Sequence, residues 1–201
     1  LTATISWGNR TSIVKSAKRM MSLFGNSPYD FIINHEERHL DKIDSFVHRT
    51  FNSIDLIFFI EALKHIYQKQ NGLEELFTKY KTKDSIQPAI HNLKNEFFSI
   101  PHPLRTMKHI PDPTCGSAAK KINMYLRWMV RKDDCGVDFG IWNHISPSIL
   151  SCPLDIHSAN VARKLGLIKR KHNDSKTVNE LDFNLRKFVN LKDGLYIIEI
   201  N

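Results

Sequence analysis

Apolar residues in this chain recur at three- and four-residue spacings wherever a period can be read, and strict alternation is nearly absent before the last few residues. The first spacing makes one helix face apolar and the second one strand face, so the pattern restricts the chain to an all-α class. One helix is expected at about residues 13–24, where Gly25, Asn26 and Pro28 stop it. A second starts from a cap at Ser53 or Asp55 and carries Ile57, Phe58, Ala62, Leu63 and Ile66 as its apolar stripe. Further helical stretches fall at about 73–80, ending in Lys79, Lys81 and Lys83, and at 86–98. Pro101, Pro103, Pro111 and Pro113 then break the pattern and mark a shaped loop. After it a helix is expected over 117–131, with Ala118, Ile122, Tyr125, Leu126 and Met129 inward, Lys120, Met124 and Arg127 on the other face, and Lys121 and Trp128 on a flank. The turn-rich linker from 133 to 147 contains Phe139, Ile141 and Trp142, which are expected to pack.

A chain of 201 residues buries about 70% of its unfolded surface, enough for a substantial core. No apolar run reaches the roughly 20 residues of a membrane span. The net charge of +8 exceeds what solubility requires and favours a polyanionic partner. Cys115, Cys135 and Cys152 lie 20 and 17 positions apart, without the close pairs of a zinc or iron–sulfur site, and read as reduced thiols of a cytoplasmic protein. The first residue is Leu1 and residues at the N-terminus do not read as a signal peptide, so the chain is expected to start inside a longer protein.

Two segments carry chemistry. PLDIHSANVARKLGL (153–167) sets Asp155 at a helix start, and GSAAKKINMYLRW (116–128) offers Lys120 and Lys121. Read singly, Asp155 is an ordinary N-cap and the lysines a solvated face. Read together, they supply an amine nucleophile and a carboxylate inside a basic frame, the parts needed to break a glycosidic bond in a nucleic acid. Arg163, Lys164, Lys169, Arg170 and Lys171 add a basic cluster able to neutralise phosphates.

At these two segments the chain resembles the helix-hairpin-helix DNA glycosylase superfamily. Gly116-Ser117-Ala118-Ala119-Lys120 matches its Gly-x-Gly-x-Lys turn with Ala118 in place of the second glycine, Leu154-Asp155-Ile156-His157 its Val-Asp-x-His step, and Arg163-Lys164-Leu165-Gly166-Leu167 its Arg-x-Leu-Gly ending. A closer resemblance runs through LTATISWGNR (1–10), GNSPYDFI (25–32), FVHRTFN (46–52), INMYLRWMVRKDD (122–134) and PLDIHSANVARKLGL. These look like an uncharacterised bacterial family, common in Bacteroidetes and catalogued as domain of unknown function 2400. That family is itself similar to the glycosylase superfamily and nearest its archaeal 8-oxoguanine branch, which the 35-residue separation of Lys120 and Asp155 also resembles.

The resemblance implies a two-lobed helix-hairpin-helix fold, with a larger lobe over 1–145 ending in the hairpin and a smaller one over 146–201. The smaller lobe is expected to be truncated or altered at its C-terminus, where FVNLKDGLYIIEIN (188–201) replaces the family's Asp-Pro and Tyr-Asp-Phe steps. The implied activity is excision of a damaged base, an oxidised purine, from double-stranded DNA by a monomer without metal or cofactor. Lys120 is the implied nucleophile, chosen over Lys121 by the Gly-x-x-x-Lys register, and Asp155 its acidic partner. Lys121 and Arg127 are expected to lower the lysine pKa. The backbone of Gly116, Ser117, Ala118 and Ala119, with His157, Arg163 and Lys164, is expected to contact DNA. Trp128, Trp142 and Phe139 are the candidates for stacking on an extruded base.

Two alternatives stand beside this reading. One is a nucleic-acid-binding protein without catalysis. The other follows from His35-Glu36-Glu37-Arg38-His39, which spells the H-E-x-x-H pattern of zinc proteases. There two histidines on one helix face bind metal, although position 45, where one protease class has a third ligand, is Ser45.

Overall fold

The computed structural model describes residues 1–188 and is predominantly helical. The elements are α1 (Arg10–Leu23), α2 (Pro28–Asn34), α3 (Glu37–Leu40), β1 (Val47–His48), β2 (Phe51–Asn52), α4 (Ser53–Gln70), α5 (Leu73–Tyr80), α6 (Gln87–Phe97), α7 (Lys120–Val130), α8 (Ile156–Lys164) and α9 (Ser175–Phe188), with 3-10 turns between some of them. β1 and β2 form a two-residue antiparallel ribbon with Val47 opposite Asn52 and His48 opposite Phe51. Among the described residues no helix is long and apolar enough to cross a membrane. Apart from Phe188, the altered C-terminal segment expected from the sequence lies outside the described residues.

The chain divides into two compact units, Leu1–Leu76 with Asn95–Ile110, and Phe77–Lys94 with Pro111–Asn201. The expected boundary after residue 145 falls inside the second unit. Hydrogen bonds account for this: the Ile86 N–H donates to the Ile149 carbonyl at 3.1 Å, and the Gln87 amide donates to Asn123 at 3.1 Å and to Ser151 at 2.7 Å. Residues 77–94 are thereby bound to a segment more than fifty positions away, a pairing that no local pattern announces.

α4 organises the first unit. Its N-cap is Asn52 rather than Ser53: the Asn52 side chain accepts from the Asp55 N–H at 3.3 Å, and the Asp55 carboxylate accepts from the Asn52 N–H at 3.0 Å. This reciprocal pair satisfies donors that a helix start leaves open. Leu56, Phe59, Ile60, Leu63 and Ile66 are buried along α4, and Phe59 meets Phe51 and Phe97 edge-on at ring distances of 5.2 and 4.6 Å. Buried side chains of this size each contribute about 1.5–3 kcal/mol through loss of water contact. The Asp55 carboxylate is itself fully buried, and Arg105, His109 and Thr106 reach it at 3.2, 3.3 and 3.1 Å.

In the second unit Leu154, Ala159, Ala162, Leu167, Ile168, Val178, Leu181 and Leu185 form one apolar cluster, with Ala118 and Cys152 packed against it. α8 ends as the sequence GL demands. The Leu167 N–H donates to Ala162 and the Gly166 N–H to Arg163, the paired bonds of a helix closed by a left-handed residue, here Gly166 at φ +71°.

Candidate functional site

The apolar cluster fixes where the polar residues beside it meet. Ala118 enters it two residues before α7 begins, and Leu154 enters it one residue before the N-cap of α8. Their neighbours Lys120 and Asp155 are left at its edge, where Lys120 Nζ donates to Asp155 Oδ2 at 2.9 Å. The two side chains are 44% and 32% exposed.

Asp155 is also the N-cap of α8. Its Oδ1 accepts the Ser158 N–H at 2.8 Å, and its own N–H donates to Ser158 Oγ at 2.8 Å. The carboxylate is therefore divided, one oxygen serving the helix start and the other the lysine. Partial burial alone would raise its pKa. The Ser158 N–H, then the Lys120 ammonium and the Ser158 hydroxyl, outweigh that and hold it at about 2. Sequence reasoning missed Ser158, although a serine three places after a capping acid is the signal for it.

The turn ahead of Lys120 is built on Asp112. This nearly buried carboxylate accepts from the Thr114 N–H at 2.9 Å, the Thr114 hydroxyl at 2.8 Å and His91 Nδ1 at 3.0 Å. Burial opposes its ionisation, but the bonds from Thr114 and His91 prevail and bring its pKa to about 2. Gly116 then turns left-handed at φ +90°, as a glycine can without strain. Its carbonyl accepts the Ser175 N–H at 3.1 Å, next to an antiparallel bridge between Ser117 and Asp174. The second left-handed residue is Ala119 at φ +46°, not Ala118, and it is the N-cap from which α7 begins at Lys120.

Several expected contacts are corrected by the geometry. The N–H groups of Gly116, Ser117 and Ala119 donate to Pro113 O, Asp112 O and Ser117 Oγ, so this turn uses internally most of the donors expected to bind phosphate. Arg127 is committed to the buried Asp138, donating to both carboxylate oxygens at 3.1 Å, and Arg131 joins it at 3.6 Å. It lies two turns along α7 from Lys120. Arg163 donates to the carbonyls of Arg170 and Lys171 and to Asn173 at 2.6–2.9 Å, so it frames the loop before α9. That loop presents Lys169, Lys171 and His172 to solvent, while Lys164 and His157 are exposed on α8.

Trp142 is a core residue, 8% exposed, with ring contacts to Tyr125 and Phe77 at 5.4 and 5.7 Å. Trp128 is half-buried. Phe139 and Ile141, expected to pack, are 59% and 58% exposed. Lys121 is half-buried, and burial lowers its pKa. The buried stripe of α7 runs through Ile122, Asn123, Leu126 and Val130, one position out of phase with the expected Tyr125 and Met129.

The H-E-x-x-H segment is not one helix. α2 ends at Asn34, His35 is buried and its ring bonds the Ile32 carbonyl at 2.9 Å and Glu61 at 2.7 Å, while His39 belongs to the separate α3 and receives the Glu36 N–H at 3.0 Å. Among the described residues no group of three or more histidine, cysteine or acidic side chains is arranged to hold a metal ion. The zinc-protease alternative fails on this arrangement.

Charge is divided unequally. The first unit has 11 Lys and Arg against 10 Asp and Glu, whereas the second has 18 against 11 and so holds +7 of the chain's +8. Lys120 and Asp155 belong to the second unit. A family model described as a protein of unknown function (DUF2400) matches residues 1–194. No curated protein and no solved structure matches the chain.

Proposed function

The chain belongs to the DUF2400 family of proteins of unknown function, and from that premise we propose that it is a DNA glycosylase/lyase that removes a damaged base through a lysine Schiff base. The observation that carries the proposal is the 2.9 Å contact of Lys120 Nζ with Asp155 Oδ2 across 35 positions of sequence. The surrounding excess of positive charge supports a phosphate-backbone partner. The helix-hairpin-helix fold and the preference for an oxidised purine belong to the same proposal and rest on the resemblance of the two motifs.

In the proposed reaction the deprotonated Lys120 amine attacks the anomeric carbon of the sugar. The new C–N bond replaces the glycosidic bond, and the base leaves with that electron pair and takes up a proton. Ring opening gives an iminium, from which loss of a sugar proton expels the 3′ phosphate. A carboxyl with a pKa near 2 is a poor proton acceptor, so Asp155 acts first as a fixed negative charge beside the oxocarbenium-like transition state. Part of its low pKa comes from Lys120, so its proton affinity rises once the amine moves onto the sugar.

Borohydride trapping of the protein on duplexes carrying single lesions tests this. Wild type is expected to form a covalent adduct with at least one oxidised purine or abasic site, and Lys120→Gln to lose it while keeping DNA affinity within about threefold. One observation favours the second reading, a binding protein without chemistry: the capping box alone accounts for the position of Asp155. DNA binding by wild type with no adduct across the lesion panel establishes that reading instead.

A further inference from the structure

Lys120 and Asp155 meet at the surface, and behind them their two segments are joined a second time, in the interior. Gln87 opens α6, and its side-chain amide donates one hydrogen to Asn123 Oδ1 at 3.1 Å and the other to Ser151 Oγ at 2.7 Å. Asn123 stands three residues after Lys120 in α7, and Ser151 four before Asp155. Both are buried. Asn123 Nδ2 donates in turn to the Ala118 carbonyl at 3.0 Å, in the turn that delivers Lys120. The Ser151 hydroxyl bonds the buried Asp182 carboxylate, whose Oδ1 also accepts the Cys152 N–H at 3.1 Å. Arg186, one turn further along α9, donates to the Ser148 and Leu150 carbonyls at 3.3 Å and so fixes the same segment.

These bonds run in one sense only. A carbonyl oxygen can only accept, so Ala118 turns the Asn123 nitrogen toward itself and the Asn123 oxygen toward Gln87. Gln87 must then present its nitrogen, whose two hydrogens serve Asn123 and Ser151 at once. Ser151, having accepted, gives its own hydrogen to Asp182. Buried bonds of this kind fix angles, which apolar packing does not, since burial rewards area without direction. The apolar cluster containing Leu154 and Ala118 brings the two segments together, and the Gln87 amide sets their register. We infer that Gln87 is a positioning residue of the candidate site, acting on Lys120 and Asp155 through their frames, Asn123 on one side and Ser151 on the other. The inference rests on the glycosylase reading above and adds a residue that neither sequence motif contains. A reacting group misplaced by about 1 Å loses about a hundredfold in rate, so a bond set this far back still governs the site.

The test compares three variants of the full chain. Gln87→Met keeps the length of the side chain and removes both donors, and Gln87→Glu keeps its shape and replaces them with acceptors; either suffices where the other fails to fold. Ile90→Val, at a fully buried position of the same helix, lowers stability without touching the amide. Circular dichroism melting keeps every comparison below unfolding. One readout is the rate of borohydride trapping at saturating DNA, on the duplex that wild type traps best. The other is labelling of Lys120 by trace acetic anhydride relative to exposed Lys169, read by mass spectrometry. Both Gln87 variants are expected to slow trapping at least about tenfold, with the half-saturating DNA concentration within about threefold of wild type. Both are also expected to raise the relative labelling of Lys120 several-fold, as its pairing with Asp155 loosens. Ile90→Val is expected to leave both readouts at wild-type values. Wild-type readouts in the Gln87 variants overturn the inference, and so does an equal change in Ile90→Val, which makes the role of Gln87 one of stability alone. If wild type forms no adduct on any duplex, the glycosylase reading falls and the labelling still decides the positioning role. Adduct formation by wild type, with trapping and labelling unchanged in the variants, removes the positioning role and leaves the glycosylase.

Discussion

Each unit begins a helix with an aspartate in a capping box, and the two carboxylates have opposite fates. Asp55 of α4 is sealed from solvent and shared among Asn52, Arg105, Thr106 and His109. Asp155 of α8 is one-third exposed, gives one oxygen to its cap and the other to Lys120. The local device is the same. What separates a structural knot from a site is how many partners the rest of the chain brings, and whether one of them can leave.

The largest expected effect breaks the knot. Asp55→Asn leaves Arg105 and His109 facing a neutral group in a buried setting, and removing one member of such a set costs about 3–5 kcal/mol. Urea unfolding followed by circular dichroism measures it. A loss smaller than that of Asp155→Asn would abolish the distinction between the two aspartates.

Asp182 in α9 is an intermediate case. Burial raises its pKa to about 6, against the lowering effect of Ser151, the Cys152 N–H and Arg186. A carboxyl held higher in the folded state than its ordinary 3.8 contributes stability below about pH 4, which is lost as pH rises through 6. Asp182→Asn should therefore be more stable than wild type at pH 7 by up to about 3 kcal/mol, the equivalent of a shift of about two units. At pH 4 the advantage should vanish. Unfolding titrations from pH 4 to 8 read the difference, and a flat difference contradicts the assignment.

The smallest stability effect is expected at the candidate site. Asp155→Asn keeps an oxygen for the Ser158 N–H and should change stability by less than about 1 kcal/mol, the usual weight of a cap. Adduct formation should fall at least about tenfold. The low pKa of Asp155 means that its stabilising pairing persists down to about pH 4 and is lost as pH falls toward 2. A stability loss comparable to that of Asp55→Asn would make Asp155 structural and remove the basis for chemistry here.

Much of the helical content was legible because its determinants are local. The apolar spacing of α4 and the breakers after α1 lie within a few residues of what they control. The pairing of Lys120 with Asp155 was legible only through the two motifs together. What escaped was set by distant partners. Arg127 looks like a free cation until Asp138 is folded beneath it, and Arg163 until the carbonyls of Arg170 and Lys171 and the Asn173 side chain close around it. Trp142 and Phe139 stand three positions apart, yet ring contacts to Phe77 and Tyr125 bury the first and leave the second outside. His35 and His39 have the spacing of one helical turn, but the chain leaves the helix between them and Glu61 takes the first ring. The division of the chain into units depends on bonds such as Ile86 to Ile149, which connect segments no window of sequence holds together.

The divided carboxylate of Asp155 has a consequence for the motion of charge. Because Oδ1 is held by the Ser158 N–H and Oδ2 by Lys120, departure of the Lys120 ammonium would break no hydrogen bond of the helix start. In the proposed reaction the anion would act as a fixed electrode with a mobile counter-ion. A polar environment set before it is needed adds little reorganisation energy when charge develops nearby, and under the proposed reaction the helix cap would do the setting.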